Sequence, residues 1–333
     1  MIFHWHESFW RDLLGRLQAR LPHALLFKGR EGIGKLQLAR ALARYLLCEN
    51  RAAEKACGAC AGCRWFDLGV HPDYRILEPQ AEAAEAAPEG RRTAAPRRAK
   101  RHITVEQIRD LEGFLEISAH RQGRKIVLIH PAEALNPSAA GALLKTLEEP
   151  PPGALFLLVS HHPRQLPATV LSRCVQVPVP VPAEAEFAAW LGEQGLADPE
   201  LWLAEAGGAP LRAVLALNGD YRKQRAEVIR VLSAPPAIRP ALDAERLEQV
   251  DLPQLVEWLY KWVYDLMAWV FMGTVRYNRD AAAEIRCLAP KADPVRAGEM
   301  AAALCAAHRS ARHPLNARSF IEDLLLAYRG LFD

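Results

Sequence analysis

The sequence predicts a parallel α/β sheet followed by a bundle of helices, and three observations carry that prediction. Short apolar runs alternate with helical patterns over residues 1–178. One of those runs, Lys125 to His130 (Lys-Ile-Val-Leu-Ile-His), is apolar without alternation, as a strand covered on both faces is. Beyond Pro178 only helical periodicity remains. The chain has 333 residues, 50% of them hydrophobic and 24% charged, which excludes wholesale disorder and leaves room for two or three domains. With 42 basic and 39 acidic residues the net charge is +3, so overall charge gives no argument for a nucleic-acid binder. No apolar run is long enough to span a bilayer, and Met1 to Trp10 lacks the basic-then-apolar order of a signal peptide. The expectation is a cytoplasmic chain without a membrane partner, its thiols reduced.

Each element has its own justification. Phe9, Leu13, Leu14 and Leu17 recur at helical spacing, which predicts a helix over Ser8 to Leu21. His23 to Phe27 reads as a strand, Gly29 to Gly34 as a glycine-rich loop, and Leu36 to Leu47 as a helix. Tyr74 to Leu77 is a second short strand and Ile103 to Leu115 a helix. Between them, residues 79–101 carry runs of Ala, Glu, Arg and Pro without apolar periodicity, the composition of a flexible surface insertion. Asn136-Pro137-Ser138 opens a helix that Pro150-Pro151-Pro152 must close. Ala154 to Ser160 and Cys174 to Val177 complete the predicted strands. Pro178, Pro180 and Pro182 read as a hinge. After it a small helical domain is placed at 179–235 and a larger bundle at 236–333. In Leu255 to Met272 the apolar residues Trp258, Trp262, Leu266 and Trp269 share one side, and Glu257, Lys261 and Asp265 form a narrow charged stripe.

Gly29-Arg30-Glu31-Gly32-Ile33-Gly34-Lys35 fits the first seven positions of a phosphate-binding loop. Glycines let backbone N–H groups turn toward phosphate oxygens at the positive end of the next helix, and Lys35 would reach the outer phosphates. The alternative is a tight strand-to-helix turn. The eighth position should carry a hydroxyl for Mg²⁺ but holds Leu36. The strand ending at Ile129 should lead into acidic residues but leads into His130 and Pro131, with Glu133 the nearest carboxylate. Hydrolysis of Mg²⁺–ATP is therefore not expected, and nucleotide binding at Gly29, Gly32, Gly34 and Lys35 stays open.

Cys48, Cys57, Cys60 and Cys63 follow the spacing Cys-x8-Cys-x2-Cys-x2-Cys. Paired Cys-x2-Cys turns deliver the four soft ligands of a structural zinc site, and a filled ligand set leaves no position open for catalysis. Gly58 and Gly62, between ligands, are expected to serve tight turns. Disulfides and an iron–sulfur cluster are the alternatives. His71 is surplus and reads as part of a turn, His71-Pro72-Asp73. Cys174, Cys287 and Cys305 are isolated and expected to be semi-buried thiols.

In chain order, the phosphate loop, the cysteine cluster, His71-Pro72-Asp73-Tyr74, the run Ala142 to Pro151 (Ala-Leu-Leu-Lys-Thr-Leu-Glu-Glu-Pro-Pro) and Leu171-Ser172-Arg173-Cys174 resemble the clamp-loader branch of the AAA+ proteins. More narrowly, they resemble its delta-prime family of bacterial DNA polymerase III subunits. The likeness spans essentially the whole chain and is least diagnostic in the tail, Leu315-Asn316-Ala317-Arg318 leading into Ile321 to Leu326. It implies an AAA+ (P-loop NTPase-like) α/β domain at 1–178 with the zinc module at 48–63, a helical lid at 179–235 and a helical collar at 236–333. It also implies a place in a ring with ATPase motor subunits and a clamp-opening subunit, which loads the sliding clamp onto primer-template DNA. Ser172-Arg173-Cys174 maps onto the family's trans-acting motif, with Arg173 as an arginine finger toward a neighbour's ATP. Ser160 and His161 stand where the first nucleotide sensor is, and Arg212, after Gly207-Gly208-Ala209-Pro210, resembles the second. Glu148 and Glu149, adjacent on a helix, diverge too far to flank one bond, and are placed at a helix end near a subunit contact.

Two other readings compete with a non-catalytic, trans-activating subunit. One is an active ATPase of the same fold. The other is a zinc-containing DNA-binding module, to which Arg91 to Arg101 would contribute phosphate contacts without base stacking.

Overall fold

The computed structural model of the chain describes residues 2–79, 102–120, 123–181, 183–311 and 316–333. The insertion predicted at 79–101, with its basic run, lies outside the described residues apart from Pro79, as does Leu315. The chain divides into two units, Met1–Pro182 and Ala183–Asp333.

In the first unit, α1 (Glu7–Ala19) precedes β1 (Ala24–Lys28), α2 (Lys35–Leu47), α3 (Ala61–Asp67), β2 (Tyr74–Leu77), α4 (Val105–Glu116), β3 (Lys125–Ile129), α5 (Pro137–Glu148), β4 (Ala154–Ser160), the short α6 (Ala168–Leu171) and β5 (Val175–Pro178). Among the described residues the strands form one five-stranded sheet, ordered β2-β3-β4-β1-β5, with every pairing parallel. All residues of β3 and β4 are buried, which is why their sequence shows no polar alternation. One face of the sheet packs Leu26, Val127, Ile129, Phe156 and Leu158 against α4 and α5. The other packs Leu25, Phe27, Ile126, Leu128 and Leu157 against α1 and α2. Each such side chain contributes roughly 1.5–3 kcal/mol by leaving water.

Local chemistry sets the boundaries. The Asn136 side chain accepts the N–H of Ala139 at 2.7 Å, and Pro137 occupies the first helical turn, so α5 starts there. It stops at Glu148 because Glu149 precedes proline and leaves helical geometry, at φ −123° and ψ 71°. Gly153 is required by contact: a Cβ there would lie 2.3 Å from the Gly123 carbonyl oxygen. Predicted strands and helices recur with ends displaced by at most three residues, and Tyr74 to Leu77 and Ala154 to Ser160 recur unshifted. The largest shift is in the helix predicted over Leu255 to Met272, which starts at Leu252.

The second unit is helical throughout its described residues: α7 (Glu184–Glu193), α8 (Pro199–Glu205), α9 (Pro210–Ala213), α10 (Gly219–Leu232), α11 (Pro240–Leu247), α12 (Leu252–Met272), α13 (Ala282–Leu288), α14 (Pro294–Ser310) and α15 (Ala317–Arg329), with short 3-10 turns between. α12 packs along α14, and α11 along α15, around Trp258, Trp262, Leu266 and Tyr328. The Trp262 indole N–H donates to the Tyr328 hydroxyl at 2.8 Å, and that hydroxyl donates to the Leu232 carbonyl at 2.7 Å.

The charged stripe of α12 faces inward. Lys261 is 6% exposed and Asp265 fully buried. Lys261 bonds Glu205 at 2.9 Å and Glu257 at 2.7 Å. Glu205 also accepts from the Tyr221 hydroxyl (3.1 Å) and the Trp258 indole (3.2 Å). The Asp265 carboxylate receives the backbone N–H groups of Arg276, Tyr277 and Asn278 and the Asn278 amide, fixing the loop after α12. Among the described residues no helix is long and apolar enough to cross a membrane.

Candidate functional site

The glycine-rich loop Gly29–Gly34 leaves the carboxyl end of β1, a strand flanked by β4 and β5. Gly29, Gly32 and Gly34 have φ of 153°, 77° and 97°, a backbone path that favours glycine at all three. The loop is tightly overlaid. Phe3 stacks on Trp5 with centroids 4.4 Å apart, and the Trp5 indole N–H donates to the Ile33 carbonyl at 3.3 Å. A Cβ on Gly34 would lie 2.9 Å from the Phe3 ring and 3.2 Å from His6. His6 is 1% exposed, and burial pushes its pKa down to about 4. Nothing in the sequence pattern announces this cover by residues 3–6.

Lys35 opens α2 and is 2% exposed. Its ammonium donates to the Arg30 carbonyl of the same loop. Burial lowers its pKa to about 8, against the opposing pull of Glu133 and Glu31. The side chain of Leu36, beside it, offers no oxygen to a cation. Where β3 ends, the His130 ring meets that of His161 edge-on at 5.4 Å, and His130 Nδ1 lies 3.5 Å from Glu78. The Glu133 carboxylate accepts the backbone N–H groups of His161 and His162 at 2.8 and 3.1 Å, so it ties β4's end to the turn after β3. Burial raises the pKa of Glu133, but hydrogen bonds from backbone N–H groups and the nearby His161 leave it below its ordinary value. His161, desolvated and close to Lys35, drops to about 4, so it is neutral at pH 7. Ser160 is fully buried at the end of β4.

The four clustered cysteines come together. Cys48 follows α2, Cys57 lies in the loop and Cys60 and Cys63 bracket the first turn of α3. Their sulfurs all lie within 4.8 Å of one another, with Cys57–Cys63 at 4.0 Å and Cys48–Cys60 at 3.9 Å. A tetrahedral ion with metal–sulfur bonds of ~2.3 Å has sulfur–sulfur edges of ~3.8 Å, so the spacing fits one metal ion. Backbone N–H groups of Cys57, Cys60 and Cys63 donate to the sulfurs of Cys48, Cys57 and Cys60 at 3.2–3.3 Å. Gly58 serves a turn, with φ of 74°. Gly62 does not: it is helical, within α3, and is needed for space, since a Cβ would lie 2.6 Å from the Leu47 carbonyl oxygen. That corrects the expectation of a turn at both glycines.

His71 is buried, its Nδ1 accepts the Asp73 N–H at 3.0 Å, and its Nε2 stands 3.5 Å from the Cβ position of Gly62. It is thus the strut between the cysteine module and β2. The three isolated cysteines are not alike: Cys174 is buried, whereas Cys287 and Cys305 are exposed, so the semi-buried expectation fails for them. Burial pushes the Cys174 thiol up to about 11.

Arg173 follows α6, and its guanidinium stays about one third exposed, at 33%. It bonds Glu148 at the end of α5, the Thr169 carbonyl and the Ser172 hydroxyl. Sequence reasoning placed Glu148 at a helix end but did not pair it with Arg173, a contact 25 residues apart. Arg212 belongs to the second unit and is ion-paired with Glu257 of α12.

A family model described as DNA polymerase III, delta subunit, matches residues 6–182. The DNA polymerase III subunit delta' of Pseudomonas aeruginosa is 39% identical over 285 residues, covering 83% of this chain and 78% of that protein. The chain belongs to the delta-prime family of DNA polymerase III subunits. Another delta-prime relative, from Escherichia coli, is 33% identical over 69% of this chain and 65% of its own length. A solved DNA polymerase III gamma subunit-related protein from Thermotoga maritima superposes with a TM-score of 0.47 at 18% identity, covering 97% of this chain and 100% of its own. The relatives are named as DNA polymerase III subunits, which makes this delta-prime chain a member of that polymerase complex.

Proposed function

We propose that this delta-prime chain is a non-hydrolysing subunit of the clamp-loading part of DNA polymerase III, and that Arg173, with Ser172, acts in trans on ATP held by a neighbouring ATPase subunit. The observation that carries the first half is the composition of the sheet's carboxyl edge. Leu36 stands at the hydroxyl position, His130 and Pro131 stand at the acidic positions, and the Glu133 carboxylate is bonded to backbone N–H groups of the turn it ties. Such a set offers neither a Mg²⁺ ligand in the usual place nor a base for water. The second half rests on Arg173 being presented at the surface by a buried footing. A permanently charged planar fork there suits phosphate oxygens and the charge that develops on a transferring phosphoryl group.

In this reading Cys48, Cys57, Cys60 and Cys63 hold a structural Zn²⁺ that supplies fold stability, with no open coordination position. The lid lies near 179–235 and the collar near 236–333. Gly29, Gly32, Gly34 and Lys35 serve as a strand-to-helix turn closed on itself, and Arg212 as a structural ion pair. The ATPase neighbours, the clamp-opening subunit, the sliding clamp and primed DNA are its partners within the assembly.

The test is ATP hydrolysis by the reconstituted assembly with clamp and primed DNA. Arg173→Ala should lower the rate by tenfold or more, about 1.4 kcal/mol of barrier, while gel filtration shows unchanged assembly. An unchanged rate would reduce this subunit to a scaffold. Hydrolysis by the isolated chain would overturn the non-hydrolysing half.

A further inference from the structure

The Arg173 guanidinium is held in place. Its Nη2 donates to Glu148 Oε1, and its Nη1 to the Thr169 carbonyl at 3.0 Å and the Ser172 hydroxyl at 3.3 Å. The footing on each side is buried. Arg173 stands between Val170, fully buried, and Cys174, 8% exposed, and Glu148 follows Leu147, 1% exposed. The two charged side chains nevertheless remain open to solvent, at 33% and 50%. The Arg173 Nε–H makes no hydrogen bond among the described residues and is available to an incoming group.

We propose that Glu148 is a positioning residue for Arg173: its carboxylate orders the guanidinium before a neighbouring subunit's nucleotide meets it. This rests on the reading of Arg173 as a trans-acting group. An arginine has several soft torsions, and freezing them on docking would subtract from whatever the guanidinium contributes in the transition state. Freezing them beforehand, in the free subunit, removes that loss. The Thr169 and Ser172 contacts arise from Arg173's own turn and hold only Nη1. Glu148 comes from another helix and fixes the second nitrogen, which sets the plane of the fork. An ion pair this exposed contributes little to fold stability, so stability alone gives no reason for the contact. A carboxylate near a phosphate also repels it, but both groups sit at a hydrated surface where that repulsion is screened.

The test compares Glu148→Ala, Glu148→Gln, Arg173→Ala and the double variant Glu148→Ala/Arg173→Ala in the reconstituted assembly, with steady-state ATP hydrolysis as readout. Expected are a fall of about twofold to fivefold in kcat for Glu148→Ala, the most that an exposed pair can supply by pre-ordering, an unchanged KM for ATP, and unchanged assembly by gel filtration. Glu148→Gln should recover most of the rate, because its amide oxygen still accepts from Nη2. On the Arg173→Ala background, removing Glu148 should cost nothing more. The proposal is overturned if Glu148→Ala runs at the parent rate while Arg173→Ala does not, or if Glu148→Ala costs the same on both backgrounds. An Arg173→Ala variant at the parent rate would remove the trans-acting reading itself, and the positioning role with it.

Discussion

Gly62→Ala is a one-carbon change whose cost can be worked from the structure. The glycine lies in α3 between the clustered Cys60 and Cys63, with ordinary helical backbone, so conformational strain adds nothing. Alanine is the better helix former by about 1 kcal/mol, which on helix propensity alone makes the variant more stable. Against that stands the new Cβ, 2.6 Å from the Leu47 carbonyl oxygen, closer than such contacts occur. The obstacle is backbone at the end of α2, next to ligand Cys48, so it cannot swing aside as a long side chain would. Either α3 or the Leu47–Cys48 peptide must move by about half an ångström or more, an overpacking cost of typically 1–3 kcal/mol. Because either movement displaces at least one of the four clustered sulfurs, Cys48 on one side or Cys63 on the other, the cost falls on metal affinity. The expected outcome is Zn²⁺ binding weakened by about tenfold to a hundredfold, at 1.4 kcal/mol per decade, with a lower Tm for the metal-loaded chain. A chelator competition on the full chain measures this, with intact mass under native conditions confirming the metal count. Parental affinity together with parental Tm would refute the packing argument, and with it the account of why this position is glycine.

Two further outcomes are expected from the second unit and the amino-terminal cover. Tyr328→Phe leaves the Trp262 indole N–H and the Leu232 carbonyl without their buried partner, so urea denaturation should show a loss of about 1–3 kcal/mol; a loss under half a kcal/mol would mean that water replaces the hydroxyl. The pKa of His6 is about 4 in the fold against 6.5 ordinarily, so the unfolded chain binds more protons between those values and stability falls as pH drops from about 6.5 to about 4. Replacing His6 with Gln should flatten that part of the Tm-versus-pH curve relative to the parent, and parallel curves would show that His6 does not titrate this way.

The elements that the sequence announced are those with local causes. β3 and β4 are legible because a strand buried on both faces has no polar position to interrupt it. The ends of α5 are legible because Asn136 and the prolines act on their own backbone. The cysteine cluster is legible because its ligands lie within 16 residues, Cys48 to Cys63. What stayed hidden depends on partners distant in the chain. Glu257, Lys261 and Asp265 read only as a narrow charged stripe until Arg212, Glu205 and the loop at Arg276–Asn278 supply their counterparts. The cover of Phe3 and His6 over Gly34 spans about thirty residues, and no periodicity encodes it. Gly62 reads as a turn residue from its neighbours, and only the approach of Leu47 shows that its role is to leave room.

The buried ion chain of the second unit also constrains how this protein can change over generations. Arg212, Glu257, Lys261 and Glu205 form a closed tally of two cations and two carboxylates, linked end to end. Losing Lys261, its side chain 8% exposed, strands the carboxylate of Glu205, 3% exposed, in the interior, a penalty of about 3–5 kcal/mol, whereas swapping both for apolar residues together is close to neutral. For that pair single steps are blocked and concerted ones are open. Lys261 and Glu205 form a unit of inheritance, kept or lost as one, while Arg212, 33% exposed, can be replaced alone because Lys261 still pairs with Glu257.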